Sequence, residues 1–468
     1  MVRAVSVFKA YDIRGIAGPE INASFSRRLG QSIVDFTGAS TIGVGRDIRT
    51  SGLELHEALM DGIRSSGCDV VNLGIVPTGV IYRSTVDMEI DVAVAITASH
   101  NPPEYNGFKI VHHGLPLAGK DLQDLKSVFD SIDEEERNSD GAMIDGTEYV
   151  NSVLQEIVND IGAISRSIVV SVDAANAVPG PYIVELFEKL GVETMAINCE
   201  WDADSPSHPA DPTRPENMRE LSASVASSEA EFGIGVDGDG DRIGVVDENG
   251  KFIHPDRLIG LFAKDILVNE EHDTDSEESR TILYDVKCSM GVEEAIASSG
   301  GIGRMVRTGH SFMKRELAIA PSIKFAGEMS GHLFFNDRWN GFDCALYNSA
   351  RLIELVARLS DPKNGGIRFS DLLSSVPEYP STGESKISFE GGRDEIMKSV
   401  RSSFSDLKFS EVDGVRVAYP DGWFLCRPSN TEPILIMRAE GRTEASLEFI
   451  LSDVHARIGE IIDLSELR

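Results

Sequence analysis

Internal repetition constrains this chain more than any other feature. Three times it runs through an apolar strand ending near an aspartate, a loop of small residues, an amphipathic helix, a glycine turn and another strand. The leading strands are Ile42-Gly-Val-Gly-Arg-Asp47, Ile168-Val-Val-Ser-Val-Asp173 and Ile282-Leu-Tyr-Asp285. Helical spacing follows each: Leu55, Leu59 and Ile63; Ile183, Leu186, Phe187 and Leu190; Val292 and Ile296. Alternating strands and helices of this kind predict α/β layers. In each unit a later strand runs into a polar, glycine-containing loop: Thr97-Ala-Ser-His100, Asp237-Gly-Asp-Gly-Asp241 and Gly327-Glu-Met-Ser-Gly-His332.

A fourth segment breaks the pattern. It carries a hairpin-like pair, Gly422-Trp-Phe-Leu-Cys426 and Pro433-Ile-Leu-Ile-Met437, and a closing helix with Leu447, Ile450, Leu451, Val454 and Ile458 on one face. This predicts a separate α+β domain. Polar stretches at 133–141, 247–251 and 361–366 mark boundaries or nearby turns. With 468 residues, 41% of them hydrophobic, the chain is long enough for several cores.

A net charge of −32 argues against nucleic acid and anionic membranes as partners, and the surplus acid reads as solubility or adaptation to salt. An anionic ligand then needs a local basic cluster. The five cysteines form no CxxC pair, which predicts reduced thiols in a cytosolic setting. No signal-peptide core and no run of 18 apolar residues is present, so neither secretion nor membrane insertion is expected. The acidic run 270–279 reads as a solvated loop.

Chemistry concentrates in the loops. Asp237, Asp239 and Asp241 alternate with glycines, so in an extended loop their carboxylates fall on one side and suit a hard divalent cation. A calcium loop of the EF-hand type fails, because Arg242 stands where that turn needs glycine and the flanks read as strands. Ser99, straight after the buried strand Asp91–Ile96, is placed either as a nucleophile or as a turn cap. Lys109 favours the first reading, with Gly107 letting the chain fold back toward the serine. Arg427, Ser429, Asn430 and Thr431 form either a plain polar hairpin turn or a cradle for a phosphate that is bound rather than transferred, which Arg438 at the end of the next strand would join. Glu328, Ser330 and His332 alternate, as either an ordinary strand end or a grip on vicinal hydroxyls in which His332 can exchange a proton near neutral pH. Arg14, Lys287 and His310 complete a cationic set.

These four loops, in this order, resemble the α-D-phosphohexomutase family from Tyr11 to Pro433. Thr97-Ala-Ser-His-Asn-Pro102 is similar to its phosphoserine loop and Asp237-Gly-Asp-Gly-Asp-Arg242 to its metal loop. Gly327-Glu-Met-Ser-Gly-His332 is similar to its sugar loop, and Arg427-Pro-Ser-Asn-Thr-Glu-Pro433 to its phosphate loop. The sugar and phosphate loops, with Asp285-Val-Lys-Cys288 and Thr308-Gly-His310, resemble the bacterial and archaeal phosphomannomutase/phosphoglucomutase subgroup, and Met329 and Asn430 depart from the similar loops of glucosamine-phosphate mutases.

The resemblance implies three related α/β domains with mixed sheets and a C-terminal α+β domain around a central active-site cleft. The boundaries read as 1–148, 149–251, 252–366 and 367–468. It also implies small sugar phosphates as substrates, while a cytoplasmic location is expected from the cysteines and both monomer and homodimer stay open. Ser99 would carry the phosphoryl group, and one Mg2+ per chain would sit on Asp237, Asp239, Asp241 and the phosphoserine. A hexose 1,6-bisphosphate would serve as intermediate and activator. Arg14, Lys109 and His332 would stabilise charge or move protons. Arg242, Lys287 and His310 would contact the sugar phosphate, Glu328 and Ser330 the sugar hydroxyls, and Arg427, Ser429, Asn430 and Thr431 the distal phosphate. Competing readings are a phosphoglucosamine mutase, a metal-dependent sugar phosphatase with Asp237 as nucleophile, and a non-catalytic sugar-phosphate-binding protein.

Overall fold

Strands buried on both faces read as continuous apolar runs, and Val92–Ile96 is one, all five of its residues being buried. It lies parallel to Thr41–Arg46 on one side and antiparallel to Tyr105–His112 on the other. The first sheet runs Ile13–Ile16, Tyr105–His112, Val92–Ile96, Thr41–Arg46, Asp69–Ile75, Met143–Asp145, with Leu115–Pro116 paired to Tyr105–His112. The computed structural model describes residues 7–132, 137, 139–204, 206–269, 276–360, 366–389, 392–429 and 434–467. Two compact units result. One comprises Met1–Pro255, His310–Pro321 and Ser330–Leu372, the other Asp256–Gly309, Ser322–Met329 and Leu373–Arg468.

In the first unit, helix Ala23–Thr37 begins where Asn22 Oδ1 accepts a hydrogen bond from the Phe25 N–H at 3.0 Å. Its Leu29 and Ile33 share a core with Leu55, Leu59 and Ile63 of helix Gly52–Ser65, as the helical spacing predicts. Gly107 does not bend the chain back. It sits inside Tyr105–His112, where a Cβ would come 2.2 Å from the Ile13 carbonyl oxygen, so its role is to admit the neighbouring strand that carries Arg14. The second sheet is also mixed, in the order Phe252–Ile253, Ile243–Asp247, Phe232–Val236, Val169–Asp173, Glu193–Ile197. Residues 247–251 form its hairpin turn, Asp247 Oδ1 accepting from the Asn249 and Lys251 N–H groups at 2.9 Å each.

In the second unit, Thr281–Asp285 pairs in parallel with Ile302–Val306 and Phe325–Gly327. A five-stranded antiparallel sheet follows, Ser385–Ser388, Ile434–Gly441, Gly422–Pro428, Val415–Tyr419, Phe409–Ser410. Helix Glu444–Ile458 closes it with Leu447, Ile450, Val454 and Ile458 buried. This is the expected α+β element. Among the described residues no helix is long and apolar enough to cross a membrane.

Candidate active site

The aspartate ending each leading strand is buried, and two of the three brace a loop that carries candidate residues, one in each unit. Asp47 accepts a hydrogen bond from Thr97 Oγ1 at 2.6 Å, and Thr97 Oγ1 in turn accepts one from the Ser99 N–H at 2.9 Å. Arg49, paired with Asp47, donates to the carbonyls of Ser99, Asn101, Pro102 and Tyr105. Clamped in this way, Ser99 adopts φ +51°, a left-handed conformation that costs a non-glycine residue on the order of 1 kcal/mol. Such strain persists only where its surroundings over-determine it, as they do for a presented nucleophile. Asp285 repeats the device in the second unit, accepting from the Met329 N–H at 3.2 Å and from Thr308 Oγ1 at 3.0 Å. No motif singles out Asp47 or Arg49 in the sequence, because their partners in the serine loop lie about fifty residues away. The aspartate repeated at the strand ends is the signal that could have found the first of them.

The three aspartates do cluster, but in a turn rather than an extended loop. Gly240 has φ +72°, and the N–H groups of Asp241 and Arg242 donate to Asp237 Oδ1 at 2.9 and 3.1 Å. One oxygen from each of Asp237, Asp239 and Asp241 lies within 4.8 Å of the others. The flanking Phe232–Val236 and Ile243–Asp247 are antiparallel strands, which removes the helix–loop–helix alternative. Ser99 Oγ donates to Asp237 Oδ2 at 2.8 Å and lies 3.1 Å from His100 Nδ1. Gly238 permits this approach, since a Cβ there would stand 2.4 Å from the Ser99 carbonyl oxygen. Gly238→Ala is therefore expected to push the two loops apart and lower kcat about tenfold to a hundredfold, measured by steady-state kinetics.

Charge is the dominant property of this site. Lys109 Nζ donates to Asp239 Oδ2 at 2.6 Å and also to Asp241. Burial alone would favour its neutral amine, but the two carboxylates outweigh that and hold Lys109 well above the usual lysine range. Burial, then repulsion from Asp241 and Asp239, pushes the Asp237 carboxyl well above its ordinary value. Asp239 Oδ1 and Asp241 Oδ1 are buried with no hydrogen-bond partner among the described residues. Hard oxygen donors, two of them orphaned, around an excess of negative charge fit a divalent cation.

Arg14 donates to Asn101 Oδ1 at 2.7 Å and pairs with Asp12. His332 Nε2 lies 3.2 Å from Arg242 Nε and 3.3 Å from Asp241 Oδ1, with Ser330 Oγ 2.9 Å from its Nδ1. The His310 and His332 rings stack at 5.3 Å between centroids. Burial, then the neighbouring Lys314, lowers the His310 pKa to about 4. Lys314 and Asp343, which no sequence motif marks, belong to this cluster. Thus Ser99, Arg14, Lys109, Asp237, Asp239, Asp241, Arg242, His310, Ser330 and His332 all lie in the first unit.

Lys287, Glu328, Arg427 and Ser429 lie in the second. Lys287 Nζ donates to Glu384 Oε1 at 2.7 Å, and Glu328 Oε1 accepts from the Gly309 N–H at 2.6 Å. Arg427 Nε donates to Asp413 Oδ2 at 2.8 Å, while its Nη2 is buried with no hydrogen-bond partner among the described residues. Arg438 turns to the Lys287 carbonyl instead of a phosphate cradle, donating at 2.6 Å. Asn430 and Thr431 fall outside the described residues.

Family profiles for phosphoglucomutase/phosphomannomutase match along the chain: alpha/beta/alpha domain I at residues 5–136, domain II at 147–250, domain III at 254–379 and the C-terminal domain at 388–456. The chain belongs to the phosphoglucomutase/phosphomannomutase family. It is accordingly an enzyme of the phosphohexomutase class. Its relatives include the phosphomannomutase/phosphoglucomutase of Pseudomonas aeruginosa, 38% identical over 451 residues, 95% of this chain and 94% of that protein. The phosphoglucomutase of Neisseria gonorrhoeae is 36% identical over 452 residues, 95% of each. A crystal structure of a phosphoglucomutase/phosphomannomutase family protein from Burkholderia thailandensis superposes with a TM-score of 0.87 at 37% identity, covering 97% of each chain.

Proposed function

We propose that this phosphohexomutase interconverts the 1- and 6-phosphates of glucose and of mannose, with Ser99 as the residue that lends and recovers the phosphoryl group. The observation that carries the reading is Ser99 itself, held at positive φ with Oγ 2.8 Å from Asp237 in a three-carboxylate cluster. In the forward half-reaction the Ser99 Oγ–P bond breaks as a P–O bond forms to the free hydroxyl of a hexose monophosphate, giving a hexose 1,6-bisphosphate. In the second half, after the sugar turns over, Ser99 takes the other phosphoryl group.

Asp237, Asp239 and Asp241 would hold Mg2+, which supplies neutralisation of the phosphoryl oxygens. Arg14 stays charged and Lys109 commits its ammonium to Asp239 and Asp241, so both stabilise negative charge. Of the three candidates, the His332 imidazole is suited to exchanging the hydroxyl proton. Lys287, Arg242 and His310 would hold the sugar phosphate, Glu328 and Ser330 its hydroxyls. Arg427, Ser429, Asn430 and Thr431 would hold the distal phosphate, and the orphaned Arg427 Nη2 supports that assignment. Four domains at 1–148, 149–251, 252–366 and 367–468 and a cytoplasmic location complete the proposal.

Rates with the 1-phosphates of glucose, mannose and glucosamine, measured side by side, test it. Glucose and mannose differ only at C2, which none of these contacts is assigned to read, so their kcat/KM values are expected within about tenfold. Glucosamine 1-phosphate departs from glucose at that same carbon, so its rate reports whether C2 is read at all: a kcat/KM above that of glucose would turn the reading to a phosphoglucosamine mutase. Release of inorganic phosphate with no isomer formed would replace the mutase by a phosphatase.

A further inference from the structure

We infer that Lys314 is a positioning residue that fixes His310 as its Nε2–H tautomer, making this ring a hydrogen-bond donor to the substrate. The substrate part of the inference rests on the mutase reading above; the tautomer part does not.

His310 and Lys314 open one helix, His310–Ile319, and stand four residues apart on the same face. Lys314 Nζ donates to Asp343 Oδ1 at 2.6 Å and sits 4.4 Å from the centroid of the Tyr82 ring. Its third neighbour is His310 Nδ1, at 3.0 Å. An ammonium has donors and no acceptor, so in this contact Nδ1 must accept, and the proton of a neutral imidazole then resides on Nε2. The rival partner is Asp343 Oδ2, 3.4 Å from Nδ1, which would draw a proton onto that nitrogen. That contact is the longer of the two, and Asp343 is already engaged by the Lys314 ammonium through its Oδ1. The shorter contact decides the tautomer.

All three side chains are buried, Lys314 at 3%, Asp343 at 0% and His310 at 6% exposure, so solvent does not compete for these contacts. Packing closes the ring from other sides as well: Tyr11 meets it edge-on with centroids 5.3 Å apart, and His332 stacks on it with planes 14° apart. His310 cannot take a proton at Nδ1 without displacing an ammonium.

The test uses the full-length protein labelled with 15N-histidine, the His310 signals being assigned by their loss in His310→Gln. Wild type is expected to show a pyridine-type nitrogen at Nδ1 and a protonated Nε2; a proton on Nδ1 overturns the inference whatever the activity. Lys314→Met is expected to redistribute the tautomers and raise KM for glucose 1-phosphate about tenfold with kcat within about threefold, the signature of a lost ground-state hydrogen bond to a charged ligand. Lys314→Arg, which retains a donor, is expected to restore both. The double variant Lys314→Met/Asp343→Asn removes the buried charge that the single change strands, and is expected to show the same tautomer and KM shifts. Unchanged tautomer and KM in the folded single or double variant would sink the assignment. A wild type with the Nε2–H tautomer but no isomerase activity would retire the mutase reading alone.

Discussion

Ser99→Ala is expected to lower turnover by on the order of 10⁴-fold or more, because it removes the atom that carries the phosphoryl group and not merely a contact. The surrounding machinery would be left in place. Thr97, Asp47 and Arg49 brace the loop through backbone groups and through each other, so alanine leaves those bonds intact. Intact-mass measurement after incubation with glucose 1,6-bisphosphate separates chemistry from folding: wild type gains a phosphate and the variant does not. His100 makes the measurement informative in both directions, since its Nδ1 lies 3.1 Å from Ser99 Oγ and its ring is kept well below the usual histidine pKa by burial and by Arg242. An acid-labile phosphate persisting on Ser99→Ala would transfer the nucleophile's role to His100. An undiminished isomerisation rate would remove covalent catalysis from the account.

The loops that carry this chemistry are legible because their signals are local. A serine after a buried strand, or aspartates spaced by glycines, can be read from ten residues, and the phase of Leu55, Leu59 and Ile63 locates a helix face within one element. The alternation of Asp237, Asp239 and Asp241 nevertheless leads to the right cluster through the wrong geometry. Gly240 makes a turn, and the Asp241 and Arg242 N–H groups fold around Asp237. Other parts are illegible because they depend on pairing between distant segments. Arg49 reads as one more charged residue until its guanidinium is seen on four carbonyls of the serine loop. Asp343 lies between strands and helices with no motif around it, and acquires meaning only from Lys314 and His310. Arg438 shows the converse. The sequence reads it as the end of a strand and hence a phosphate ligand, but the strand runs on to Gly441 and the register of the C-terminal sheet turns Arg438 to the Lys287 carbonyl.

Asp237→Asn is expected to have opposite effects on activity and on the stability of metal-free protein. Activity should fall about 10²–10³-fold, since a charged oxygen donor to the cation and to the transferring phosphoryl group is lost. The metal-free fold should be as stable as wild type or more so near neutral pH. Burial and the adjoining Asp241 and Asp239 raise the Asp237 pKa, so the folded state disfavours the charged form relative to the unfolded chain. For a carboxyl raised in this way, the penalty is present above its folded-state pKa and disappears as the pH falls to where the unfolded carboxyl is protonated too. Asparagine has no charge to penalise at any pH. It also preserves the local bonds: its Oδ1 can accept from the Asp241 and Arg242 N–H groups, and its amide can donate to Ser99 Oγ, which is acceptor as well as donor. Adding Mg2+ should reverse the order. At a hundredfold excess over its Kd the cation stabilises wild type by about 2.7 kcal/mol, and the variant, with one ligand neutralised, by much less. Thermal melts of both proteins with EDTA and with Mg2+, at pH 5 and pH 8, provide the comparison. A variant that gains as much from Mg2+ as wild type would place the cation elsewhere, and one that is markedly less stable than wild type in EDTA at pH 8 would show that Asp237 is not the strained member of the cluster.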